Sequence, residues 1–328
     1  GYVIHFLVAW NYIVVVAVED VIVVVNKKSM GQTCCGIATD KVSVNGISYT
    51  VVKDIGEGAF SFVQLVKNRS EKYALIFVDM NEISDVVGQT LLYISVFTDV
   101  VGQMLLDIAK TDVIIQEDIL KQMIQREISS HNTIKHKFVM PLIDHEIVQK
   151  QGKYEARLLF PYYNLGSVQE MIDVSLITKK SIEEKKIVSM IKCLCMAVST
   201  FHSHNPSYAH RDIKPHNMLI GEGSNIILMD LGSVREANVK ITSRKEAMEL
   251  QELCSQECTA AFRAPELFEV PSPGTITEKT DIWSIGCTMH ALAYGNSPCD
   301  GTATSAMSPN MKLDNSLYSS KFNSIIKS

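Results

Sequence analysis

Short apolar runs separated by turn residues dominate the first half of the chain. Residues Val42–Val52 form two β-rich runs around Asn45-Gly46, a pair that favours the two-residue turn of a β-hairpin. Further runs predict strands over Val139–His145 and Arg157–Phe160. We therefore expect the amino-terminal part of the chain to be β-rich.

Helical spacing of apolar residues appears between these runs and after them. The stretch Gln116–Thr133 places one apolar stripe on a helix, formed by Ile119, Leu120, Met123, Ile124 and Ile128. Ser181–His204 predicts a longer helix, and Thr242–Cys258 is helix-prone. Strand runs followed by helical runs indicate an α+β protein.

The segment Ile76–Ala109 differs from its surroundings. It contains a near-repeat at an offset too short for a solenoid, Asp85–Leu92 against Asp99–Leu106. Removing the segment joins Tyr73-Ala74-Leu75 to Lys110, so we interpret it as an insertion into a strand, of the kind that retained non-coding sequence would produce. The alternative is that Tyr73–Val78 is itself the strand and lacks a lysine.

Residues 1–29 are rich in Val and Ile, but Glu19 and Asp20 interrupt the run where charges are costly in lipid. A transmembrane helix is therefore not expected, and no basic leader with a cleavage site marks a signal peptide. Because the first methionine is Met30, we interpret residues 1–29 as a non-native or extra segment. The alternative is a genuine strand-forming extension.

Residues 30–41 have the form of an acylated amino terminus. Gly31 is a candidate for myristoylation once it is exposed, and Cys34 and Cys35 are candidates for palmitoylation. The cysteines matter physically because one acyl chain binds membranes only marginally and a second makes the anchor stable. The sixth position is Cys35 where Ser or Thr is usual, and the alternative is a terminus with two free thiols.

Composition narrows the function without assigning it. A net charge of −5 over 328 residues provides no basic field, so nucleic acid is not an expected partner. The eight cysteines show neither a disulfide rhythm nor paired CxxC zinc spacing, which favours a reducing, intracellular compartment.

The loop His210–Asn217 carries the clearest chemical signal. Phosphoryl transfer needs a carboxylate to accept the proton of the attacking hydroxyl, a cation beside the moving phosphoryl group and an amide to hold a metal ion. Asp212, Lys214 and Asn217 supply these groups in the spacing of the protein-kinase signature. Asp230, after the apolar run that follows, is the expected second magnesium ligand.

Other stretches supply candidate nucleotide contacts. Ile55–Val63 is a glycine-rich strand-turn-strand in which Gly56 and Gly58 let the backbone approach phosphates. Phe160–Gly166 has the composition of a hinge. The candidate ATP contacts are Ile55, Gly56, Glu57, Gly58, Val63, Ala74, Lys110, Glu127, Pro161, Tyr163, Leu219 and Asp230.

From Val42 onward the chain resembles eukaryotic protein kinases, and more narrowly the Numb-associated kinase family. The narrower resemblance rests on four stretches: Met30-Gly31 with its nearby cysteines, Gly56–Ser61, Tyr208–Asp212 and Met229–Ser233. It implies a two-lobed kinase fold, ATP and Mg²⁺ as cofactors, and Ser or Thr of proteins as phosphate acceptors. It also implies a role related to membrane trafficking, at the cytoplasmic face of Golgi or other endomembranes if the chain is acylated and in the cytoplasm if not.

The resemblance divides residues 42–328 into a β-rich N-lobe (42–160, with the insertion 76–109), a hinge (161–166) and a helical C-lobe (167–328). It pairs Lys110 with Glu127 to position ATP, and it assigns Asp281 to the backbone of the catalytic loop. The chain stops at Ser328, where further C-lobe helices are expected, and the usual arginine partner of Glu266 is missing. The alternative function is therefore a catalytically impaired pseudokinase or scaffold of the same fold.

Overall fold

A computed structural model describes residues 13–18, 21–26, 41–57, 61–79, 121–150, 153–311 and 313–327. Its contacts divide the chain into two units, Gly1–Val42 and Ser43–Ser328. In the first unit, strand β1 (Ile13–Val18) pairs antiparallel with β2 (Val21–Asn26). The candidate acylation residues Gly31, Cys34 and Cys35 lie outside the described residues.

A six-stranded sheet forms the smaller lobe. Its strands, in chain order, are β3 (Lys41–Val44), β4 (Ile47–Glu57), β5 (Ser61–Asn68), β6 (Glu71–Asp79), β7 (Asp144–Lys150) and β8 (Lys153–Pro161). They lie side by side in the order β3-β4-β5-β6-β8-β7. Asn45, which follows the edge strand β3, donates side-chain hydrogen bonds to Asp144 (2.7 Å) and to the His145 carbonyl (2.9 Å) of the opposite edge strand β7. These bonds between opposite edges show that the sheet is curled.

The predicted hairpin around Asn45-Gly46 is confirmed. Both residues have positive φ, at 47° and 78°, as the tight two-residue turn requires. The strands flanking the turn, β3 and β4, are neighbours in the sheet.

Strand β6 does not end at Leu75, where the proposed insertion was placed. Ile76, Phe77 and Val78 continue it, pairing with Val63, Phe62 and Ser61 of β5 on one side and with β8 on the other. The apolar character of these residues explains the continuation, because Leu75 and Phe77 are buried and Ile76 packs on the lobe's core. Strand β6 thus includes the residues of the alternative interpretation, Tyr73–Val78, and carries Ile76 two residues after Ala74. The insertion itself stays a prediction.

The prediction of a strand over Val139–His145 was wrong by several residues. Residues 138–140 are not part of the sheet and bond to Leu228. The Leu228 N–H donates to the Phe138 carbonyl, and the Leu228 carbonyl accepts from the Met140 N–H (both 2.8 Å). The strand begins only at Asp144. The first half of the apolar run therefore forms its backbone hydrogen bonds with a residue distant in sequence and does not join the sheet.

Helix α1 covers residues 121–133 of the described chain and lies in the smaller lobe. Ile124 and Ile128 of the predicted stripe are buried and share a cluster with Leu158 and Phe160 of β8. Ile119 and Leu120 fall outside the described residues.

The larger lobe is mainly helical, as predicted. Its helices are α2 (Val168–Thr178), α3 (Glu184–His202), α4 (Arg244–Glu257), α5 (Pro265–Phe268), α6 (Lys279–Tyr294), α7 (Ala303–Met307) and α8 (Ser320–Lys327). Two-stranded ribbons join them: β9 (Tyr208–Ala209) with β12 (Arg235–Glu236), β10 (Met218–Ile220) with β11 (Ile226–Leu228), and β13 (Val239–Ile241) with β14 (Gly274–Ile276).

Two apolar cores organise this lobe. The larger one surrounds α3 and includes Phe322 and Ile326 of α8, so the last described helix is part of it. A separate core packs α4 and α5 together and contains Cys254 and Cys258. Within the described residues, no helix combines the length and apolarity needed to cross a membrane.

Candidate active site

The loop His210–Asn217 is held in place by one buried carboxylate, that of Asp281 on α6. Asp281 Oδ2 accepts from the His210 N–H (2.8 Å), and Oδ1 accepts from the Arg211 N–H (2.9 Å). His202, at the end of α3, lies 2.9 Å from Oδ2 through its Nε2. The expected role of Asp281 is confirmed, and the contact with Asp281 gives His202 a structural role.

Asp212 contacts the other two residues of the loop that the sequence predicts to be catalytic. Lys214 Nζ lies 2.7 Å from its Oδ2, and Asn217 Nδ2 donates to the same oxygen and to the Asp212 carbonyl, both at 2.9 Å. Asp212 and Asn217 are each about 6% exposed. The three residues predicted from sequence therefore form one contiguous cluster.

The electrostatic surroundings keep Asp212 ionised. Burial alone would raise its pKa, but the Lys214 ammonium and hydrogen bonds from Lys214 and Thr259 outweigh burial and lower the pKa below its usual value. The carboxylate is thus an acceptor near neutral pH, as a group that receives a proton must be.

Thr259 belongs to this cluster and was not assigned a catalytic role from sequence. Its N–H donates to Asp212 Oδ1 (3.0 Å), and its Oγ1 accepts from Lys214 Nζ (2.7 Å). It lies 45 residues beyond Lys214 in the sequence. The one sequence signal for Thr259 is its position in a short run of small and apolar residues before Arg263-Ala264-Pro265.

Asp230 has an unusual backbone conformation. Its φ of 63° is a left-handed conformation that Asp tolerates better than most residues. Burial, together with the carboxylates of Glu127 and Asp212, raises the pKa of Asp230. A divalent cation would relieve that repulsion, so the group fits the expected metal site.

Asn217 suits the same metal. Its side-chain nitrogen is used by Asp212, whereas its side-chain oxygen receives no hydrogen bond from the described residues. An amide oxygen and a carboxylate are the ligand types that Mg²⁺ prefers.

One face of the small-lobe sheet presents the apolar residues expected around a nucleotide. Val63 lies directly opposite Ile76, and Ala74 lies opposite Phe160, so all four side chains share that face. Tyr163 and Leu219 pack against the cluster of Phe160 from the hinge and from β10. Ile55 is half-buried, and Pro161 is the last residue of β8.

Several predicted nucleotide contacts remain untested. Gly56 and Glu57 lie in β4, whereas Gly58 and Lys110 lie outside the described residues. The predicted pair of Lys110 with Glu127 therefore stays a prediction.

The comparison with known families decides what this arrangement belongs to. Residues 107–325, about two-thirds of the chain, match the sequence profile described as the protein kinase domain. The chain belongs to the protein kinase family. The kinase fold, with its β-rich N-lobe and helical C-lobe, is the one predicted from sequence.

Individual relatives cover most of this kinase and most of their own length. A chain of Dictyostelium discoideum named "Probable serine/threonine-protein kinase" is 32% identical over 87% of this chain and 89% of its own. Serine/threonine-protein kinase 16 of Rattus norvegicus is 30% identical over 83% and 77%, respectively. Serine/threonine-protein kinase ppk13 of Schizosaccharomyces pombe is 31% identical over 85% and 81%.

The kinase departs from the family's pattern at Ile76. A kinase places the ATP-binding lysine on this strand, two residues after Ala74, and here that position is apolar and half-buried. Glu127, the expected acidic partner of the lysine, instead lies 3.9 Å from Nε2 of the buried His131. No lysine among the described residues pairs with Glu127.

A second carboxylate, Glu257 at the end of α4, ties the N-lobe helix to the rest of the site. Arg126 of α1 binds it at 2.9 Å, and Arg235 binds it through two bonds of 2.8 and 2.6 Å. Arg126 also donates to the carbonyl of Gly232, two residues after Asp230 (2.9 Å). Because Glu257 is only 8% exposed, these are largely desolvated pairs.

The Lys214–Asp212 contact should have a pH-dependent effect on stability. A carboxylate whose pKa is lowered in the folded state stabilises that state above its unfolded pKa, about 3.9, and loses the effect as the pH falls through its folded pKa. Replacing Lys214 with Met removes the cation and leaves the burial. We expect a loss of about 1–3 kcal/mol at pH 7 that shrinks toward zero below about pH 4.

Denaturant titration of the Lys214→Met variant at several pH values measures this. The control is Lys240→Met, which alters an exposed lysine on β13. A deficit of Lys214→Met that is independent of pH would contradict the prediction.

Proposed function

We propose that this kinase domain transfers the γ-phosphate of ATP to serine and threonine side chains of proteins. The observation that carries the proposal is the cluster in which Asp212 binds Lys214, Asn217 and Thr259 at 2.7–3.0 Å. The names of the relatives, all serine/threonine-protein kinases, support the choice of acceptor.

The residues act in the order that their contacts suggest. The ionised Asp212 orients the acceptor hydroxyl and takes its proton. Lys214, held between Asp212 and Thr259, keeps a positive charge beside the phosphoryl group that moves to the acceptor. The Thr259 hydroxyl accepts a hydrogen bond from this lysine. The segment that carries Thr259 would therefore border the pocket for the acceptor.

Asn217 and Asp230 would hold magnesium, and ATP would lie against the apolar face of Val63, Ala74 and Phe160. When bound, the metal neutralises charge on the phosphates. Burial and, to a smaller extent, the carboxylates of Glu127 and Asp212 raise the pKa of Asp230, and a bound cation would offset the repulsion from those two carboxylates.

Replacing Asp212 with Asn should abolish phosphate transfer from ATP to Ser/Thr peptides, by at least about 100-fold, because the general base is lost while its shape is kept. The measurement is radiolabelled phosphate incorporation, with nucleotide binding followed separately. Glu249→Gln, at an exposed site on α4, is the control and should leave activity unchanged. Equal activity of the two variants would overturn the assignment.

A second candidate function is an impaired kinase that serves as a scaffold. The observation in its favour is Ile76, which occupies the lysine position within a continuous strand and packs on the apolar cluster of Phe160. An apolar side chain there cannot pair with ATP phosphates or with Glu127.

Two variants separate these functions. If β6 as observed lines the nucleotide site, Ile76→Lys should pair with Glu127 and raise kcat/KM for ATP at least about tenfold, whereas Lys110→Met should change nothing. If Lys110 provides the charge, as the insertion hypothesis requires, Lys110→Met should abolish activity and Ile76→Lys should not help. If the unaltered chain is active and neither Ile76→Lys nor Lys110→Met changes that activity, both explanations are wrong.

We further propose that the chain is a member of the Numb-associated kinase family, with a role in membrane trafficking. Support comes from the Asp230-Leu231-Gly232 sequence and the Met30-Gly31 start. Further support comes from helix α4 within the activation segment, the stretch between Asp230-Leu231-Gly232 and Ala264-Pro265-Glu266. Acylation of Gly31 and of Cys34 or Cys35 would place it on the cytoplasmic face of Golgi or other endomembranes.

Acylation is testable on a chain that begins at Met30. With N-myristoyltransferase and a myristate analogue, we expect label on this chain and none on its Gly31→Ala variant. Cys34→Ser/Cys35→Ser should keep the label but lose stable binding to phosphatidylcholine vesicles after expression in cells. Labelling that persists in Gly31→Ala would contradict the proposed site.

A further inference from the structure

Arg211, in the loop His210–Asn217, and Arg263 are two buried arginines with unusual surroundings. Arg211 is 4% exposed and Arg263 is 9% exposed, yet neither forms an ion pair with a carboxylate among the described residues. The Nε–H of each is buried and has no hydrogen-bond acceptor within that part of the chain. A buried cation without an ion pair and with an unbonded N–H is costly, and a nearby anion would reduce that cost.

Backbone carbonyls satisfy only part of these guanidinium groups. Arg211 Nη2 donates to the Glu236 carbonyl (2.9 Å). Arg263 Nη2 donates to the carbonyls of Cys258 (2.6 Å) and Ser255 (3.3 Å). The Arg263 guanidinium also lies 4.7 Å from the centre of the Phe268 ring.

Two cysteines lie in the field of both arginines. Cys254 lies in the last turn of α4 and Cys258 caps the helix; they are 1% and 5% exposed, and neither is in a disulfide. The Cys258 thiol hydrogen-bonds to Cys254, and this bond, with the charges of Arg211 and Arg263, lowers the pKa of Cys254 despite burial and the opposing charge of Glu257. The pKa of Cys258 is raised, so Cys258 keeps its proton.

The two positions suit a disulfide. The Cys258 N–H still donates to the Cys254 carbonyl (3.1 Å), so the four-residue helical spacing is kept. That spacing is about 6 Å along the axis, which is within the Cα separation that disulfides span. Cys258 has left the helix, with φ −111° and ψ 129°, so its side chain is not restricted to the helical direction.

We propose that Cys254 and Cys258 form an oxidation site, at which a peroxide converts the thiol pair to a disulfide. The Cys254 thiolate attacks one peroxide oxygen and gives a sulfenic acid and hydroxide. The Cys258 thiol then attacks the Cys254 sulfur, its proton and the hydroxyl leaving as water. In sum, two thiols and hydrogen peroxide give one disulfide and two waters, the sulfurs losing two electrons.

Oxidation would reach the active site through the next residue. Cys258 precedes Thr259, whose N–H binds Asp212 and whose hydroxyl holds Lys214. Drawing Cys258 toward Cys254 displaces Thr259 from both contacts. The chemical modification is independent of the proposed function, whereas this effect on phosphate transfer rests on it.

The chain contains a matched control pair. Cys287 and Cys299 are also buried, free and hydrogen-bonded thiol to thiol, and the pKa of Cys299 is lowered by that bond. Within the part of the chain that the structure describes, no arginine charge contributes to the pKa shift of either thiol. A difference in reactivity between the pairs therefore measures what the two arginines contribute.

Trypsin separates the two pairs cleanly. Cleavage after Lys245 and Arg263 yields residues 246–263 with Cys254 and Cys258, and cleavage after Lys279 and Lys312 yields residues 280–312 with Cys287 and Cys299. After treatment of the folded chain with hydrogen peroxide and then alkylation, we expect residues 246–263 to carry no alkyl group. Their mass should be about 2 Da below that of the reduced, unalkylated peptide because a disulfide has formed. Residues 280–312 should remain alkylated at both cysteines.

The same peroxide treatment should lower phosphate transfer at least about tenfold, and dithiothreitol should restore it. Cys254→Ala should resist the loss, whereas Cys287→Ala should behave like the unaltered chain. Alkylation of residues 246–263 at both cysteines after treatment, or equal oxidation of the two peptides, would overturn the proposal, and both readouts need no active enzyme. A disulfide without loss of transfer would refute only its effect on the active site.

Discussion

The catalytic loop depends on the buried carboxylate of Asp281. Arg211 has a φ of 66°, a left-handed conformation that costs a non-glycine residue roughly 1–2 kcal/mol, and its N–H is one of the two that Asp281 binds. Without that acceptor, two buried N–H groups would be left unsatisfied at about 1–3 kcal/mol each. The strain at Arg211 persists because α6 supplies the acceptor, and His202 fixes the carboxylate in turn.

Sequence motifs predicted those parts of the site whose residues are close together in the chain. Asp212, Lys214 and Asn217 fall within six residues, and their cluster agrees with the prediction. Thr259 and Glu257 were missed as site residues because each joins the site only through tertiary contacts. The same limitation explains the shifted strand at Val139–His145, since Leu228 competes for its backbone groups.

Ile76 illustrates how packing determines where a strand ends. Strand β6 is bonded on both sides, so residues that extend it gain hydrogen bonds to β5 and β8 and bury apolar area on both faces. The local energetics favour continuing the strand through Ile76, whatever the consequence for nucleotide chemistry. Structure formation and catalytic competence therefore make different demands on the same position.

Glu257 adds an anion to the activation segment that is written into the sequence. It binds Arg126 of the N-lobe helix and Arg235 beyond Asp230, the kind of paired-guanidinium contact that an added phosphate group can also create. Here the charge is present from the moment the chain is synthesised. The link between helix α1 and the activation segment thus forms with the fold, and no separate enzyme is needed to install it.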